Sequence, residues 1–340
     1  MIRFLVLLVV GNLLWCQQLS AQKQISTDVL VGNLKNPSGV AIRPVTQEVY
    51  ISDTGRGRVI QASKNSVREI ITDFPVEDFE LDQSLTLGPM ALMFRKRNLL
   101  IVGTGGEPDG EDAISVYDVE DADQTSKTAA EFEYQLKMPA KDGQPAEGDF
   151  MCLAKTKYSL FFSCNGDSDK GWVTKADLIV NDFREPRRFI ATNEIAQTPT
   201  PGGITVSPDG HIVVAQMGKR DLPNDSVLTF YSEGGELLDK FPTGLSDIVA
   251  LAYSPRKKQL FALDYNWAEP KKGGLYKLVA VDTKEGCEAK LVTSLERPTS
   301  MAFGKNGELY VTVCGFPDED SEDDDEYLSP GKCLLIKGFE

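Results

Sequence analysis

The sequence predicts an all-β fold, a six-bladed β-propeller with four antiparallel strands in each blade. Two observations lead to this prediction: a short segment recurs six times along the chain, and β-rich runs follow every copy. A third observation is that no stretch shows the 3.6-residue periodicity of an amphipathic helix. The 340 residues are therefore expected to form one ring rather than two domains.

The recurring segment consists of a turn residue, a small or apolar pair and an alternating run. Its copies begin at residues 37, 89, 149, 201, 248 and 298, so successive starts are 52, 60, 52, 47 and 50 residues apart. A β-rich run follows each start after 11 to 13 residues, as around Tyr50 and Leu100. Tight turns, such as residues 207–210, separate the two runs. Each copy therefore predicts the two inner strands of a blade.

Two further β-rich runs complete a typical unit. The third strand is expected at residues 59–62 and 227–231, for example, and the fourth at residues 68–72 and 236–241. A seven-bladed ring with one degenerate unit and a two-sheet sandwich are the alternatives. Neither of them explains six spacings so close to one another, and the six-bladed ring does.

The ends of the chain predict how the ring closes. The sixth unit supplies only three strands before the chain ends at Glu340. We expect strand 26–31 to pair with strand 332–337 as the missing fourth strand. Such closure removes the exposed sheet edges that otherwise template aggregation.

The first 21 residues have the layout of a secretory signal peptide. Arg3 supplies a positive charge, Phe4 to Trp15 is an apolar run of twelve residues, and Ala21 provides a small residue for cleavage. Twelve residues are too few to span about 30 Å of hydrocarbon. The sequence therefore predicts a signal peptide over residues 1–21, a single propeller domain over residues 22–340, a secreted or periplasmic location, and no membrane insertion after cleavage.

The charge balance excludes some classes of function. Lys and Arg number 36 against 51 Asp and Glu, for a net charge of −15. An acidic chain lacks the basic face that binds nucleic acid through its phosphates. His211 is the one histidine, which excludes a mechanism that needs two, and its position after residues 208–210 predicts a solvated turn.

Three stretches carry a resemblance to a known superfamily. Residues 49–59 look like a blade of the NHL-repeat type, which places an Asp after a β-run and an Arg before the next strand. Residues 200–210 resemble the gluconolactonase- and strictosidine-synthase-like propellers, and residues 298–303 are similar to their last blade. The resemblance covers nearly all of residues 25–339 as architecture. It implies little about function, because these folds include lactonases, lyases, receptors and inert scaffolds.

The resemblance implies a metal site in the enzymes of this superfamily, held by an Asn or Asp after the Pro of each blade. The matching positions in this chain are Ser38, Met90, Phe150, Gly202, Val249 and Thr299. None of them is a carboxylate or an amide, and Asp149 and Asp247 lie one or two positions earlier. We therefore expect an exported, non-catalytic propeller without a cofactor or catalytic residues. A divergent lactonase or hydrolase is the alternative.

The cysteines predict one disulfide bond. Cys314 ends the second strand of the last blade and Cys333 begins the third, so the two residues flank the base of the 315–332 loop. A bridge there would close that loop. Cys152 and Cys164 are about three positions out of register within one hairpin, which predicts packed thiols.

The loops that join second and third strands are expected to emerge on one face of the ring. A rigid ring with variable loops suits recognition of a protein or a glycan. The candidate contact residues on this face are Arg56, Asp109, Asp167, Asp169, Arg220, Trp267 and Asp323.

Two acidic loops allow a second interpretation. Asn165, Asp167 and Asp169 alternate like the oxygen ligands of a calcium loop, but Ala176 stands where that loop carries a Glu, so a solvated loop is the alternative. The run at residues 318–326 predicts a self-repelling insertion, with docking to a cationic partner as the alternative.

Overall fold

Six antiparallel sheets follow one another as the blades of a ring, which confirms the predicted six-bladed β-propeller. The structure, a computed structural model, describes residues 25–339 except residues 65, 80–81, 83, 109, 121–124, 141–142, 144–145, 165–170, 180–181, 197–199, 281–285 and 317–329. The predicted signal peptide lies outside these residues, so its cleavage and the secreted or periplasmic location stay predictions. Within the described ranges, no helix has both the length and the apolar character needed to cross a membrane.

The strands of the first three blades occupy the first part of the chain. Strand β1 (Ser26–Leu34) belongs to the last blade. The first blade contains β2 (Gly39–Ile42), β3 (Val49–Asp53), β4 (Arg58–Ser63) and β5 (Ser66–Thr72), and a separate hairpin follows with β6 (Glu77–Asp78) and β7 (Thr86–Leu87). The second blade contains β8 (Pro89–Phe94), β9 (Leu99–Thr104), β10 (Ala113–Asp118) and β12 (Tyr134–Lys137), while β11 (Lys127–Thr128) pairs in parallel with β5. The third contains β13 (Phe150–Lys155), β14 (Ser159–Cys164), β15 (Trp172–Ile179), β16 (Asp182–Phe183) and β17 (Arg187–Ala191).

The remaining strands complete the ring. The short helix α1 (Thr192–Ala196) leads into the fourth blade, which contains β18 (Thr200–Val206), β19 (Ile212–Met217), β20 (Val227–Tyr231) and β21 (Leu237–Pro242). The fifth blade contains β22 (Ile248–Tyr253), β23 (Leu260–Asp264), β24 (Gly274–Ala280) and β25 (Cys287–Ser294). The sixth contains β26 (Pro298–Phe303), β27 (Leu309–Val313) and β28 (Gly331–Lys337), with β1 at its outer edge.

The hydrophobic core lies between neighbouring blades. Every residue of β3 is buried, because the blades on either side cover both of its faces, whereas β21 at the outside of the ring is largely exposed. Tyr50 of the first blade meets Phe94 of the second edge-to-face, with ring centroids 5.0 Å apart. Such pairs contribute beyond the area they bury, so side-chain packing holds neighbouring blades together, and the short parallel pairing of β11 with β5 adds a backbone link between the first two.

The ring closes as predicted, with the N-terminal strand in the last blade. Strand β1 pairs antiparallel with β28, and Ser26 faces Lys337 while Leu34 faces Gly331. Leu34 is 2% exposed and belongs to the apolar cluster between the last and first blades. The strand therefore supplies core packing as well as backbone hydrogen bonds.

The Asp and Arg of the NHL-like stretch form a structural cluster. Asp53 is fully buried and accepts hydrogen bonds from the backbone N–H of Lys35 at 2.7 Å and from Nε of Arg58 at 2.8 Å. Nη1 of Arg56 lies 3.2 Å from the same carboxylate and donates to the carbonyl of Asn33 at 2.6 Å. These contacts tie the end of β3 to the segment that follows the closing strand.

The predicted disulfide between Cys314 and Cys333 is wrong, because both residues are free thiols. Strand pairing places Cys333 opposite Thr312, so Cys314 lies two positions away along the ladder. Diagonal neighbours of this kind are about 7–8 Å apart, beyond the usual Cα separation of a disulfide. Cys333 packs in the apolar cluster between the last and first blades, whereas Cys314 lines the central cavity.

The predicted packed thiols in the third blade are confirmed. Cys152 and Cys164 are both free, and Cys152 is paired with Ser163 rather than with its fellow cysteine. The thiol of Cys152 donates to the carbonyl of Val249 at 3.3 Å. Packing and this hydrogen bond therefore account for Cys152 without a disulfide.

Candidate functional site

A cavity of about 320 Å³ opens at the loop face of the ring, at the mouth of the central channel. The ends of the innermost strands and the loops after the second strands form its walls. A volume of this order is typical of small-molecule sites. The walls include Ser38, Met90, Asp149, Met151, Thr200, Met217, Lys219, Arg220, Asp247, Val249, Tyr265, Trp267, Thr299 and Cys314.

Only some of the positions to which the family resemblance assigns metal ligands line the cavity. Ser38, Met90, Val249 and Thr299 line it, but Phe150 and Gly202 do not. In the third and fourth blades, their places are taken by other residues of the same segments, Asp149, Met151 and Thr200. Register shifts near the start of the inner strands break the strict alternation of side chains, and they occur in the second, fifth and sixth blades as well as in these two.

Asp247 is a buried carboxyl group in the cavity wall. It precedes β22 and is 2% exposed. Its Oδ2 accepts the backbone N–H of Trp267 at 2.8 Å, whereas its Oδ1 is buried without a hydrogen-bond partner in the described structure. An unpartnered buried oxygen is costly, and this atom keeps its capacity to accept a hydrogen bond.

The protonation of Asp247 follows from the same surroundings. Burial is the main cause that raises the pKa of this carboxyl to about 7, and the charges of Asp264 and Asp225 act in the same direction. The hydrogen bond from Trp267 and the charge of Arg220 oppose the shift. Near neutral pH the group is therefore present in both its acidic and its basic form, as a general acid or base requires.

The neighbouring carboxyl Asp264 has a structural role. It accepts the backbone N–H of Asp247 at 2.7 Å, and burial raises its pKa despite this hydrogen bond. Tyr265 in turn donates its backbone N–H to the carbonyl of Asp247 at 2.9 Å. The end of β23 and the loop after it thereby fix the backbone on which Asp247 stands.

An aromatic wall stands beside Asp247. The rings of Tyr265 and Trp267 lie 4.5 Å apart, and Phe79 lies 6.2 Å from Trp267. The guanidinium of Arg220 sits 4.7 Å above the Trp267 ring. The hydroxyl of Tyr265 is likewise buried without a hydrogen-bond partner in the described structure.

Phe79 comes from the hairpin formed by β6 and β7, which we call the strap. The strap leaves the ring between the first and second blades and crosses the cavity mouth. Asp82 at its turn reaches Arg297 of the sixth blade, with Oδ2 and Nη2 3.1 Å apart, and Arg220 of the fourth blade at 3.8 Å. The strap therefore narrows the mouth and is anchored on its far side.

Another part of the wall, which we call the methionine wall, is apolar and rich in sulfur. Met90, Met151 and Met217 come from three successive blades, and Val249 and Leu85 complete this side. Methionine side chains are flexible and polarizable, so they adapt to irregular apolar ligands. Asp149, half-buried beside them, has its backbone N–H bonded to Oδ2 of Asp112 at 3.0 Å.

These donors do not match a hard divalent metal ion. Such an ion takes six or more oxygen ligands at close range, whereas thioether and aliphatic groups stand at Met90, Met151 and Val249. In the described ranges, no three His, Cys, Asp or Glu side chains gather as a metal site. The described residues of this channel therefore do not supply the oxygen-rich ligand set that the family resemblance implies.

The structure brings together two of the residues predicted to bind a ligand. Arg220 and Trp267 are in contact at the cavity, whereas Arg56 lies in the Asp53 cluster. Asp109, Asp167, Asp169 and Asp323 lie outside the described residues, as does Asn165 of the calcium alternative. His211 is exposed in the turn before β19, and its backbone N–H bonds to Oγ of Ser207 at 3.0 Å.

Asp247 and the strap were not among the predicted binding residues. The sequence shows Asp247 directly before a β-run, but not that the loop carrying Trp267 folds back to bury it. The strap has strands of two residues each, too short to leave a pattern.

Comparison with known proteins shows the fold. No protein-family model matches the sequence, and no curated protein matches it either. Among solved structures, an oxidoreductase (glucose dehydrogenase) from Thermus thermophilus is similar, with 13% identity, a TM-score of 0.63, and coverage of 92% of this chain and 100% of its own. A gluconolactonase from Xanthomonas campestris has 12% identity, a TM-score of 0.59, and coverage of 93% and 90%. A luciferin-regenerating enzyme has 15% identity, a TM-score of 0.56, and coverage of 93% and 98%. The chain thus shares the six-bladed propeller fold of gluconolactonase-like proteins, as its blade pattern predicted.

Proposed function

We propose that the protein is a hydrolase that cleaves a small ester or lactone in the central cavity, with Asp247 as general base. The observation that carries the proposal is a buried carboxyl at the cavity wall, with one oxygen held by Trp267 and the other without a partner in the described structure. Buried polar atoms usually have a hydrogen-bond partner, so Oδ1 of Asp247 keeps an unused capacity to accept a proton. The proposal takes up the alternative set out from the sequence, and the fold shared with a gluconolactonase supports it.

The chemistry would proceed through an activated water molecule. Oδ1 of Asp247 accepts a proton from water while the water oxygen attacks the carbonyl carbon of the ester. The tetrahedral intermediate then collapses, the bond to the leaving oxygen breaks, and the protonated carboxyl of Asp247 returns the proton to that oxygen. A pKa near 7 allows one group to perform both transfers.

The shape of the cavity favours a small and largely apolar substrate. The methionine wall supplies apolar contact, and the strap shields part of the mouth from solvent. Exclusion of bulk water strengthens every electrostatic contact inside the site. A non-catalytic binder of proteins would more simply use an open loop surface than a recessed cavity with a carboxyl of raised pKa.

Hydrolysis of a panel of aliphatic and aromatic lactones and esters tests the proposal. We expect turnover by the wild-type protein and a loss of at least about a hundredfold in kcat for Asp247→Asn, which keeps the shape but not the base. Asp209→Asn is the matched control, because Asp209 is exposed in a turn on the opposite face. Full activity in Asp247→Asn, or no turnover on any member of the panel, would contradict the proposal.

A further inference from the structure

Two guanidinium groups, those of Arg220 and Arg297, stand at the rim of the cavity, although the protein as a whole is acidic. Both lie at ion-pair distance from the carboxylate of Asp82, so within this trio the positive charges outnumber the negative ones by one. Nε of Arg297 is moreover buried without a hydrogen-bond partner in the described structure, so this group is incompletely satisfied.

Lys219 adds a further cation at the same rim. Its side chain lines the cavity and is exposed, and its backbone N–H is fixed by Oδ2 of Asp225 at 2.9 Å. Within the described part of the chain, no carboxylate lies at salt-bridge distance from its ammonium group. An ammonium and a guanidinium on consecutive residues suit the recognition of an anion.

The aromatic wall argues against a cationic ligand. Aromatic rings that recognise ammonium ligands present open faces to them. Here the guanidinium of Arg220 stands over Trp267 at 4.7 Å, and that of Arg297 stands 6.0 Å from the centre of Tyr265. The cation-binding faces of both rings are thus used by the protein itself.

We propose that the substrate carries a carboxylate at one end, bound at the rim by Lys219 and Arg220, and an apolar body that lies against Met90, Met151 and Met217. The assignment of this molecule as substrate rests on the proposed hydrolase function, but its binding does not. The carboxylate group would lie in the wet, cationic mouth, and the apolar body in the recessed part. Asp247 would then face the middle of the bound molecule.

Binding of three probes of equal chain length tests the charge preference. Octanoate, octanamide and octylamine differ in the charge of one end, and calorimetry with the full protein measures each affinity. We expect octanoate to bind at least about tenfold more tightly than octanamide, with octylamine weakest. Lys219→Gln and Arg220→Gln should each lower the affinity for octanoate about fivefold or more and leave octanamide unchanged, whereas Arg220→Lys should restore part of the loss.

Lys271→Gln is the matched control, since Lys271 is exposed on the same face but does not line the cavity. Equal affinities for octanoate and octanamide would overturn the inference. So would an equal loss of octanoate affinity in the Lys271 control, or tightest binding of octylamine. Octanoate binding with no hydrolysis of any ester would remove the proposed function and leave the anion site. Hydrolysis of an ester without a preference for octanoate over octanamide would remove the anion site and leave the proposed function.

Discussion

Trp267 donates its backbone N–H to Oδ2 of Asp247 across 2.8 Å, and the other oxygen of that carboxyl has no hydrogen-bond partner in the described structure. The loop after β23 thus reaches back over the start of β22 and buries a carboxyl at the cavity wall. This contact orients the carboxyl of the proposed base. The free energy of keeping this group buried should therefore appear in the pH dependence of stability.

Stability is predicted to fall as pH rises through the range in which Asp247 ionises. The unfolded chain loses this proton near the ordinary Asp value of about 4, whereas burial raises the folded pKa to about 7. The contribution is fully present below about pH 4 and is lost as pH rises to about 7. At pH 8, Asp247→Asn should therefore be more stable than the wild type, by on the order of 2 kcal/mol.

Urea denaturation at pH 4 and pH 8 measures this difference. Asp209→Asn serves as the control and should shift neither value. If Asp247→Asn is less stable than the wild type at pH 8, the carboxyl is ionised and stabilising in the folded protein, contrary to the prediction.

The Asp53 cluster should be costly to break. Its carboxylate is fully buried and holds Arg58, Arg56 and the backbone of Lys35. Asp53→Ala leaves these groups unpaired and should lower the free energy of unfolding by about 3–5 kcal/mol. Asp177→Ala removes a partly exposed carboxylate that pairs with Arg187 at 2.8 Å and Lys175 at 3.6 Å, and it should cost about 1 kcal/mol. Similar losses in both variants by chemical denaturation would show that burial does not set the strength of these pairs.

Much of the fold could be predicted because the six repeated segments can be compared, and each supports the strand assignment of the others. Six copies of one hairpin pattern fixed the number of blades, and the missing strand in the last copy identified β1 as its partner. The disulfide prediction was wrong because two residues that flank the same loop need not face each other in the paired strands. Cys314 and Cys333 flank the same loop, but two positions along the ladder separate them.

The site was harder to predict because its residues come from different blades and loops. The sequence predicts Arg220 and Trp267 as contact residues on the loop face, and in the structure their side chains are in contact. Asp247 gains its properties only when Trp267 covers it, which a local pattern does not show. The strap depends on a contact between Asp82 and Arg297, which are 215 residues apart in the chain.

Reduction should leave the protein unchanged. Burial raises the pKa of both Cys314 and Cys333 to about 12, so neither thiol forms a reactive thiolate at pH 8. We expect the same melting temperature with and without reductant, and labelling of these two thiols by an alkylating reagent only after unfolding. A lower melting temperature in reductant, or a disulfide-linked peptide by mass spectrometry, would restore the bond predicted from the sequence.

Removal of the closing strand should destabilise the whole ring. Deleting residues 22–31 leaves β28 as an unpaired edge, so we expect the free energy of unfolding to fall by at least about 3 kcal/mol. We also expect the variant to self-associate through that edge. Val29→Ser is the control, because Val29 is 54% exposed and should change stability by less than about 0.5 kcal/mol. Chemical denaturation and light scattering report the two effects. An unchanged unfolding midpoint in the deletion would mean that β1 contributes little to closure.

Asp82 should compete with a bound anion for the guanidinium groups of Arg220 and Arg297. Burial tends to raise the pKa of Asp82, but hydrogen bonds from Ser84 and the charges of Arg297 and Arg220 together lower it, so Asp82 is a negative charge at the rim. Asp82→Asn keeps an acceptor for Ser84 and removes the charge that the two arginines share.

Octanoate affinity should therefore increase about threefold to tenfold in Asp82→Asn, while octanamide affinity stays the same. Calorimetry at low and high salt measures the change, which should shrink at high salt because the rim is exposed to solvent. Asp209→Asn, which removes a carboxylate from the opposite face, should change neither affinity. Weaker octanoate binding in Asp82→Asn would contradict this prediction. It would mean that Asp82 favours octanoate binding, by holding the strap in place, more than its negative charge opposes it.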